Sequence, residues 1–257
     1  MSVVTYTVKG STATITLDSP GNRNAISEAL LEGIDEGISQ AVEDETVRSL
    51  VLTHTGTVFS AGADLKGSSK TADPRARAQA ANSVIRRLLT CPKPVIGAIN
   101  GHVRAGGMGF TAACDMVVAG PQATFGLSEV RIGVVAAMIA PVVLARLDDR
   151  TAADWLLRAR TVTAQEAMAA GFITHALPAD GPSVDDVVDD ILTDLRKGAP
   201  QALAASKSIV NRAVLAAMDS REAEMIDLSG QFFSSSAAKA GMQAFFDKTP
   251  PPWVVET

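Results

Sequence analysis

The sequence predicts an α/β fold with a helical C-terminal part, and two observations predict it. Short apolar strands alternate with helix-spaced segments from the N-terminus to about residue 178, whereas from Val184 to Pro250 one helical pattern follows another without a convincing strand. This divides the chain into an expected core, residues 1–195, and a helical C-terminal region, residues 196–257. A chain of 257 residues with 47% hydrophobic and 20% charged content can bury a core of that size.

The elements follow from local patterns. Val4, Tyr6 and Val8 alternate, as do Ala13, Ile15 and Leu17, and the Lys9-Gly10-Ser11 turn between them predicts a hairpin. After the turn-rich SPGNRN, apolar residues at Leu30, Leu31, Ile34, Ile38, Ala41 and Val42 have helical spacing. RSLVLTH at 48–54 reads as a buried strand, GSSKTADP as a polar loop, residues 75–90 as a helix and PVIGAIN at 94–100 as another strand. DMVVAG and TFGL give two more. Thr163 and Glu166 form a capping box before a helix stopped at Gly171, and FITHAL returns as strand. No repeat or low-complexity segment interrupts the series.

Charge and cysteine content narrow the function classes. A net charge of −5 without a basic stripe makes nucleic acid and anionic lipid poor partners. Two cysteines, Cys91 and Cys114, are too few for a disulfide framework, which suits the cytoplasm. No signal-like N-terminus is expected in MSVVTYTVKGSTATITL, and the longest apolar run, residues 132–145, is broken by Gly133 and Pro141, so no membrane span is expected. His54, His102 and His175 lack metal-ligand spacing, and no metal site is expected. Cys114 reads as packing, since no pattern for a covalent nucleophile accompanies it.

The chemistry centres on RAGGMGFTAACD at 104–115. A helix that opens on glycines presents unpaired backbone N–H groups and roughly half a positive charge to an anion or a developing oxyanion. Gly107, Gly109 and Ala112 also match a loose dinucleotide fingerprint, G-x-G-x-x-A, although a six-residue loop, Asn100 to Ala105, separates them from the preceding strand. A tight helix crossing without ligand is a third reading. A second small-residue turn, VFSAGADL at 58–65, follows a different strand. Two such turns can aim one N–H each at a single oxygen, and a donor in such a hole is worth about 2.7–4 kcal/mol in the transition state.

FSAGADL, then KPVIGAINGHVRAGGMGFTAACDMVVAG, then ATFGLSEVRIGVV, in this order and spacing, resemble the crotonase or enoyl-CoA hydratase/isomerase family. LDSPGNRNAIS and TVTAQEAMAAGFITHALP are similar to further stretches of it, and the wording of GGMGF with SEVRIGVV resembles its methylglutaconyl-CoA hydratase subgroup. The resemblance covers residues 3 to about 178 well and the helical tail more loosely. It implies a spiral of ββα turns, a C-terminal trimerisation region, a homotrimer or dimer of trimers, a coenzyme A thioester substrate, and no metal or redox cofactor.

By the same resemblance the oxyanion donors are the backbone amides of Ala63 and Gly106, and Glu129 is the catalytic acid/base. Arg23, Ala61, Asp64, Leu65, Lys66 and Lys248 fall at positions that bind CoA or substrate, although Thr249 stands where the family's C-terminal motif has an arginine after the lysine. Hydratases of the family commonly use two glutamates, and the first falls here on Gly109. The main expectation is an enoyl-CoA hydratase. A Δ3,Δ2-enoyl-CoA isomerase, which needs one group to shuttle a proton, is the alternative, followed by a noncatalytic acyl-CoA binder and an NAD-dependent oxidoreductase. Glu129 otherwise reads as an exposed carboxylate pairing with Arg131, Arg104 as solvated or touching a substrate carboxylate, and Asp64 and Asp115 as structural caps or pairs. Residues 66–90 and 132–146 are expected to shape the acyl pocket.

Overall fold

The computed structural model describes residues 2–66 and 73–255. Most of the expected GSSKTADP loop, residues 67–72, lies outside them.

Two sheets are threaded by one repeated path. Strand β1 (Val4–Lys9) pairs antiparallel with β2 (Thr12–Leu17), and β2 continues into a parallel series of β3 (Ser49–His54), β5 (Val95–Ile99), β7 (Met116–Ala119) and β10 (His175–Ala176). The second sheet has the order β4 (Val58–Ser60), β6 (His102–Arg104), β8 (Thr124–Gly126) and β9 (Thr161–Thr163). Each successive β-β pair, β3-β4, β5-β6 and β7-β8, adds one strand to each sheet before the chain turns helical. That stacking of ββα turns is the expected spiral.

Helix α1 (Glu28–Glu43) is N-capped by Ser27, whose hydroxyl accepts from the Leu30 amide, and it buries Leu30, Leu31, Ile34, Ile38 and Ala41. Helix α2 (Pro74–Thr90) begins one residue before the expected start, at a proline in its first turn, and buries Val84, Ile85, Leu88 and Leu89. Helix α3 (Gly106–Ala113) is almost wholly buried. Strand β5, VIGAI, is buried at every position, as a central parallel strand with both faces covered must be. On one face Ile99 and its neighbours join Phe59, Phe110 and Phe125 in the main core. On the other, Ile96, Ala98 and Val118 pack with Val184, Val188 and Leu192 of helix α7 (Val184–Leu195).

Several elements differ from expectation. The loop between Asn100 and Ala105 contains β6, held by parallel pairing to β4 and β8 rather than by its own pattern. Short Val58–Ser60 is likewise a strand, and FITHAL shrinks to the two-residue β10. Around Pro141 the helix is a 3-10 turn, Ala137–Ile139, followed by α4 (Ala140–Leu144). Helix α5 (Asp149–Arg158) and β9 follow it. The Thr163–Glu166 capping box forms as read, with both reciprocal bonds present at the start of α6 (Ala164–Ala169).

The C-terminal part is helix α8 (Pro200–Phe233) and α9 (Ser236–Asp247). Thirty-four residues make α8 about 50 Å long. Its buried side chains include Lys207, Asn211, Val214, Met218 and Met225, a stripe of helical period. Two of these are polar because they meet carbonyls at the end of α2. Lys207 donates to the carbonyls of Leu88 and Lys93 and lies 2.8 Å from Asp115, which also receives the Val95 amide at 2.7 Å and Asn211 at 3.3 Å. Asp115 is therefore a structural pair, as expected, tying α8 to the starts of β5 and β7.

Substituting Lys207→Met leaves Asp115 and two carbonyls without their donor in a nearly dry site, since the Lys207 side chain is only 5% exposed. The expected loss is about 3–5 kcal/mol, read as a lower urea midpoint with the m-value unchanged.

Candidate active site

Two backbone segments from separate turns of the spiral meet at the head of α3. After β4 the chain turns at Gly62, whose φ of +86° is left-handed and suits glycine. A Cβ placed on Gly62 would lie 2.6 Å from the Ala105 Cβ and 3.4 Å from the Gly106 nitrogen, so no side chain fits between the two turns. Ala105, the residue before α3, holds φ +49° and ψ −124°, a strained conformation for alanine that costs about 1–3 kcal/mol. The ladder on either side imposes it: Arg104 pairs with Gly126, and the Ala105 amide donates to the Gly126 carbonyl at 2.9 Å.

Register decides where the Ala63 amide points. Ile26 forms a parallel bridge to Ala63, donating to the Gly62 carbonyl at 2.8 Å and accepting from the Asp64 amide at 3.3 Å. In such a bridge the middle residue's own N–H faces away from the partner strand. The Ala63 amide is thus directed away from Ile26, while Gly106 is the first residue of α3, where no intrahelical acceptor exists.

The same bridge gathers most of the residues expected to bind CoA. The Ala61 amide donates to the Arg23 carbonyl at 3.0 Å, so residues 23–26 and 61–64 run together. Arg23 is exposed and is itself the left-handed C-cap of a 3-10 turn, Pro20–Asn22. Asp64 accepts from the Lys66 amide at 3.1 Å, Leu65 is half-buried and Lys66 exposed. Lys248 is different: it caps the C-terminus of α9 in left-handed conformation, among exposed residues. Two residues that sequence reasoning passed over hold this region together. Asn24, fully buried, donates to the carbonyls of Thr55 and Val58, and Ser60 accepts from the Gly62 amide at 3.2 Å.

Glu129 opens a 3-10 turn, Glu129–Ile132, three residues and so no more than about 10 Å of chain after Gly126, whose carbonyl accepts from the Ala105 amide at the head of α3. It is 8% exposed and its Oε2 has no hydrogen-bond partner. Burial pushes its pKa up to about 7, against the smaller downward pull of backbone N–H groups at Glu129 and Ser128. The expected pairing with Arg131 is not among the ion pairs of the described residues. A buried, unpaired carboxyl is rare in a core and common at sites of proton transfer.

Gly109 has a definite neighbour. A Cβ there would lie 2.5 Å from Ile139 Cγ2 and 2.9 Å from Ile85 Cδ1. The position of the family's first glutamate is thus filled by two isoleucines, one from each segment expected to shape the acyl pocket. Gly107 is similarly closed by Ser60, at 2.8 Å. With both glycines covered by side chains, the dinucleotide fingerprint has no exposed backbone to offer a pyrophosphate.

Arg104 is neither solvated nor directed to a substrate. Its guanidinium donates to the Val103 and Thr124 carbonyls and to the Thr124 hydroxyl, each at 2.8 Å, bracing β6 on β8. Cys114 donates to the Phe110 carbonyl, and burial pushes its thiol up to about 12, consistent with packing. Among the described residues no group of three His, Cys, Asp or Glu side chains could hold a metal ion, and no helix is long and apolar enough to cross a membrane.

Comparison with known proteins decides the family. The profile described as "Enoyl-CoA hydratase/isomerase" matches residues 7–255. The chain belongs to the enoyl-CoA hydratase/isomerase family. A solved enoyl-CoA hydratase from Mycobacterium avium is 39% identical with a TM-score of 0.91, covering 99% of this chain and all of that one. A carnitinyl-CoA dehydratase from Mycobacterium avium 104 is 29% identical with a TM-score of 0.83 over the full length of both. The short-chain-enoyl-CoA hydratase of Clostridium acetobutylicum is 30% identical over 244 residues, 93% of each chain. These three relatives are matched over 93% or more of their length, so this enoyl-CoA hydratase/isomerase family member shares their fold from end to end.

Two outcomes follow from the packing. Gly109→Ala overpacks the contact with Ile139 and is expected to cost about 1–3 kcal/mol, most of it recovered in the double variant with Ile139→Ala, as a thermal-denaturation double-mutant cycle reads. Glu129 has a folded pKa above its unfolded value, so its own contribution to stability is most favourable below pH 4.5 and falls as pH rises to about 7. Glu129→Gln is therefore expected to be more stable than the parent at pH 8.5, by about 3 kcal/mol, and no more stable at pH 4.5.

Proposed function

We propose that the protein adds water to the double bond of a 2-enoyl-CoA thioester. The observation that carries this reading is Glu129, a buried carboxyl with an unpaired oxygen, three residues after Gly126, whose carbonyl is bonded at the head of α3 where the Gly62–Ala63 turn meets it. The thioester oxygen takes hydrogen bonds from the Ala63 and Gly106 amides. Glu129, ionised, removes a proton from water as the water oxygen bonds the β-carbon, and the double-bond electrons move through the α-carbon onto the thioester oxygen. The enolate then collapses, and the α-carbon takes the proton now on Glu129. Polarisation comes from fixed backbone dipoles and proton transfer from one carboxyl, so the reaction needs no metal or redox cofactor.

One observation favours a second reading. Since Ile139 and Ile85 occupy the space beside Gly109, no carboxylate from that position shares the work. A Δ3,Δ2 double-bond shift needs only one base to take the α-proton and return it at the γ-carbon, and Glu129 suffices for it. Hydration is preferred because the three relatives compared above are described as two hydratases and a dehydratase.

Arg23, Ala61, Asp64, Leu65 and Lys66 flank the bridge from which Ala63 projects and are proposed to receive the CoA moiety. Lys248 is proposed to reach CoA from a neighbouring subunit, in a homotrimer or dimer of trimers. Apolar side chains exposed on the C-terminal part, among them Ile209, Val210, Phe245 and Val255, support such an assembly. Two buried free cysteines are compatible with the cytoplasm.

Crotonyl-CoA supplied to the enzyme should give the 3-hydroxyacyl product, and a 3-enoyl-CoA supplied instead should gain conjugation only if the isomerase reading holds. Glu129→Gln is expected to lower kcat on the order of a thousandfold. The parent's kcat/KM should rise with pH through a midpoint near 7, because the group must be ionised to accept the first proton. A Gln variant of undiminished rate, or a profile flat from pH 6 to 8, rejects Glu129 as the base.

A further inference from the structure

The turn that carries Glu129 lies directly on helix α9, and the contact is backbone to backbone. A Cβ on Gly241 of α9 would stand 2.5 Å from both the carbonyl carbon and oxygen of Ile132, the last residue of that turn. A Cβ on Gly133 would stand 2.7 Å from the carbonyl carbon and oxygen of Ala237, one helical turn earlier on α9. Backbone atoms cannot swing aside as the end of a side chain can. Both positions exclude every residue larger than glycine unless the helix and the turn separate.

Gly133 also closes the turn. Its amide donates to the carbonyls of Glu129 and Val130, and the Val134 amide donates to the Glu129 carbonyl at 3.1 Å. Glu129 is thus anchored through its own carbonyl to the residue whose back rests on α9. The Trp253 ring crowds the same Gly241 Cβ position, at 2.7 Å. The small, buried side of α9, Ala238, Gly241 and Ala244, is what lets the helix come this close.

We propose that Gly133 and Gly241 are positioning residues for Glu129: they set α9 against the Glu129 turn at backbone distance, and so fix where the carboxyl sits relative to the thioester. This rests on Glu129 being the proton-transfer group. Most of the residues proposed to bind CoA, in segments 23–26 and 61–66, lie outside this contact, and only Lys248 at the end of α9 shares it, so a displaced turn should impair the chemical step more than substrate affinity.

The test is steady-state kinetics with crotonyl-CoA on the full chain. Gly241→Ala is expected to lower kcat ten- to a hundredfold, as a displacement of about 1 Å can, with KM within about threefold of the parent. The double variant Gly241→Ala/Trp253→Ala removes the ring from the added methyl and leaves the Ile132 carbonyl as its remaining backbone clash. It relieves part of the overpacking, which keeps the test decisive if the single variant does not fold, and it should still show the lowered kcat, whereas Trp253→Ala alone should keep the parental kcat. Gly198→Ala, whose Cβ would press on Leu203 far along the chain, is a control for lost packing and should keep kcat. A Gly241→Ala enzyme with parental kcat overturns the proposal, as does a folded double variant with parental kcat, which would assign the loss to the ring and not to the turn. If Glu129→Gln is inactive while Gly241→Ala is fully active, the positioning role fails alone. If Glu129→Gln is itself active, the base assignment fails first.

Discussion

Gly62 and Gly106 belong to different turns of the spiral, and the contact between their backbones is the constraint on which the site depends. Neither amide can be brought there by its own segment. Strands β4 and β6 pair through Val58 with His102 and Ser60 with Val103, β6 pairs with β8, and those ladders hold the two turns at van der Waals distance. The strain at Ala105, about 1–3 kcal/mol, persists because the strand before it and the helix after it are both fixed. Arg104 and Asn24 serve the same end: each spends its hydrogen bonds on backbone carbonyls of neighbouring segments, not on a ligand.

Holding donors rigidly has a direct chemical consequence. A peptide dipole already aimed at the place where charge will develop does not reorganise during reaction, and in a dry site it is worth more than in water. Small residues at 62, 63, 105 and 106 matter by leaving the space open. Glu129 is buried and is destabilised by that burial, since removal of water raises the energy of a carboxylate. The rest of the core supplies the stability against which this local loss is set.

What could be read from the chain, and what could not, divides along physical lines. Patterns with a period were legible: the β1-β2 hairpin, α1, β3 and β5 each present apolar residues at spacing 2 or 3.6 or in a buried run. The capping box at Thr163 and Glu166 was legible because its two hydrogen bonds are local. Strands β4, β6 and β9 were not, because three residues carry no period and are strands only through neighbours distant in sequence. The same limit hid the guanidinium of Arg104, whose acceptors at Thr124 lie 20 residues on, and the isoleucines over Gly109. The glycine at 109 stood out by resemblance, but what fills its space is a fact of three dimensions.

That filling bears on how one carboxyl can do the work of two. In a site with paired carboxylates, repulsion between like charges holds one of them protonated near neutral pH and leaves the other ionised. Here Gly109 removes the partner, and Ile139 with Ile85 takes its volume, so no like charge from that position acts on Glu129. Burial raises it instead, to about 7. A lone group that must first accept a proton and then return it is most effective when neither direction is steeply uphill, which requires a pKa close to the working pH. Under the proposed mechanism, desolvation therefore replaces electrostatic repulsion as the source of the poise, and an apolar side chain in place of an acid leaves proton transfer to a single residue tuned by burial.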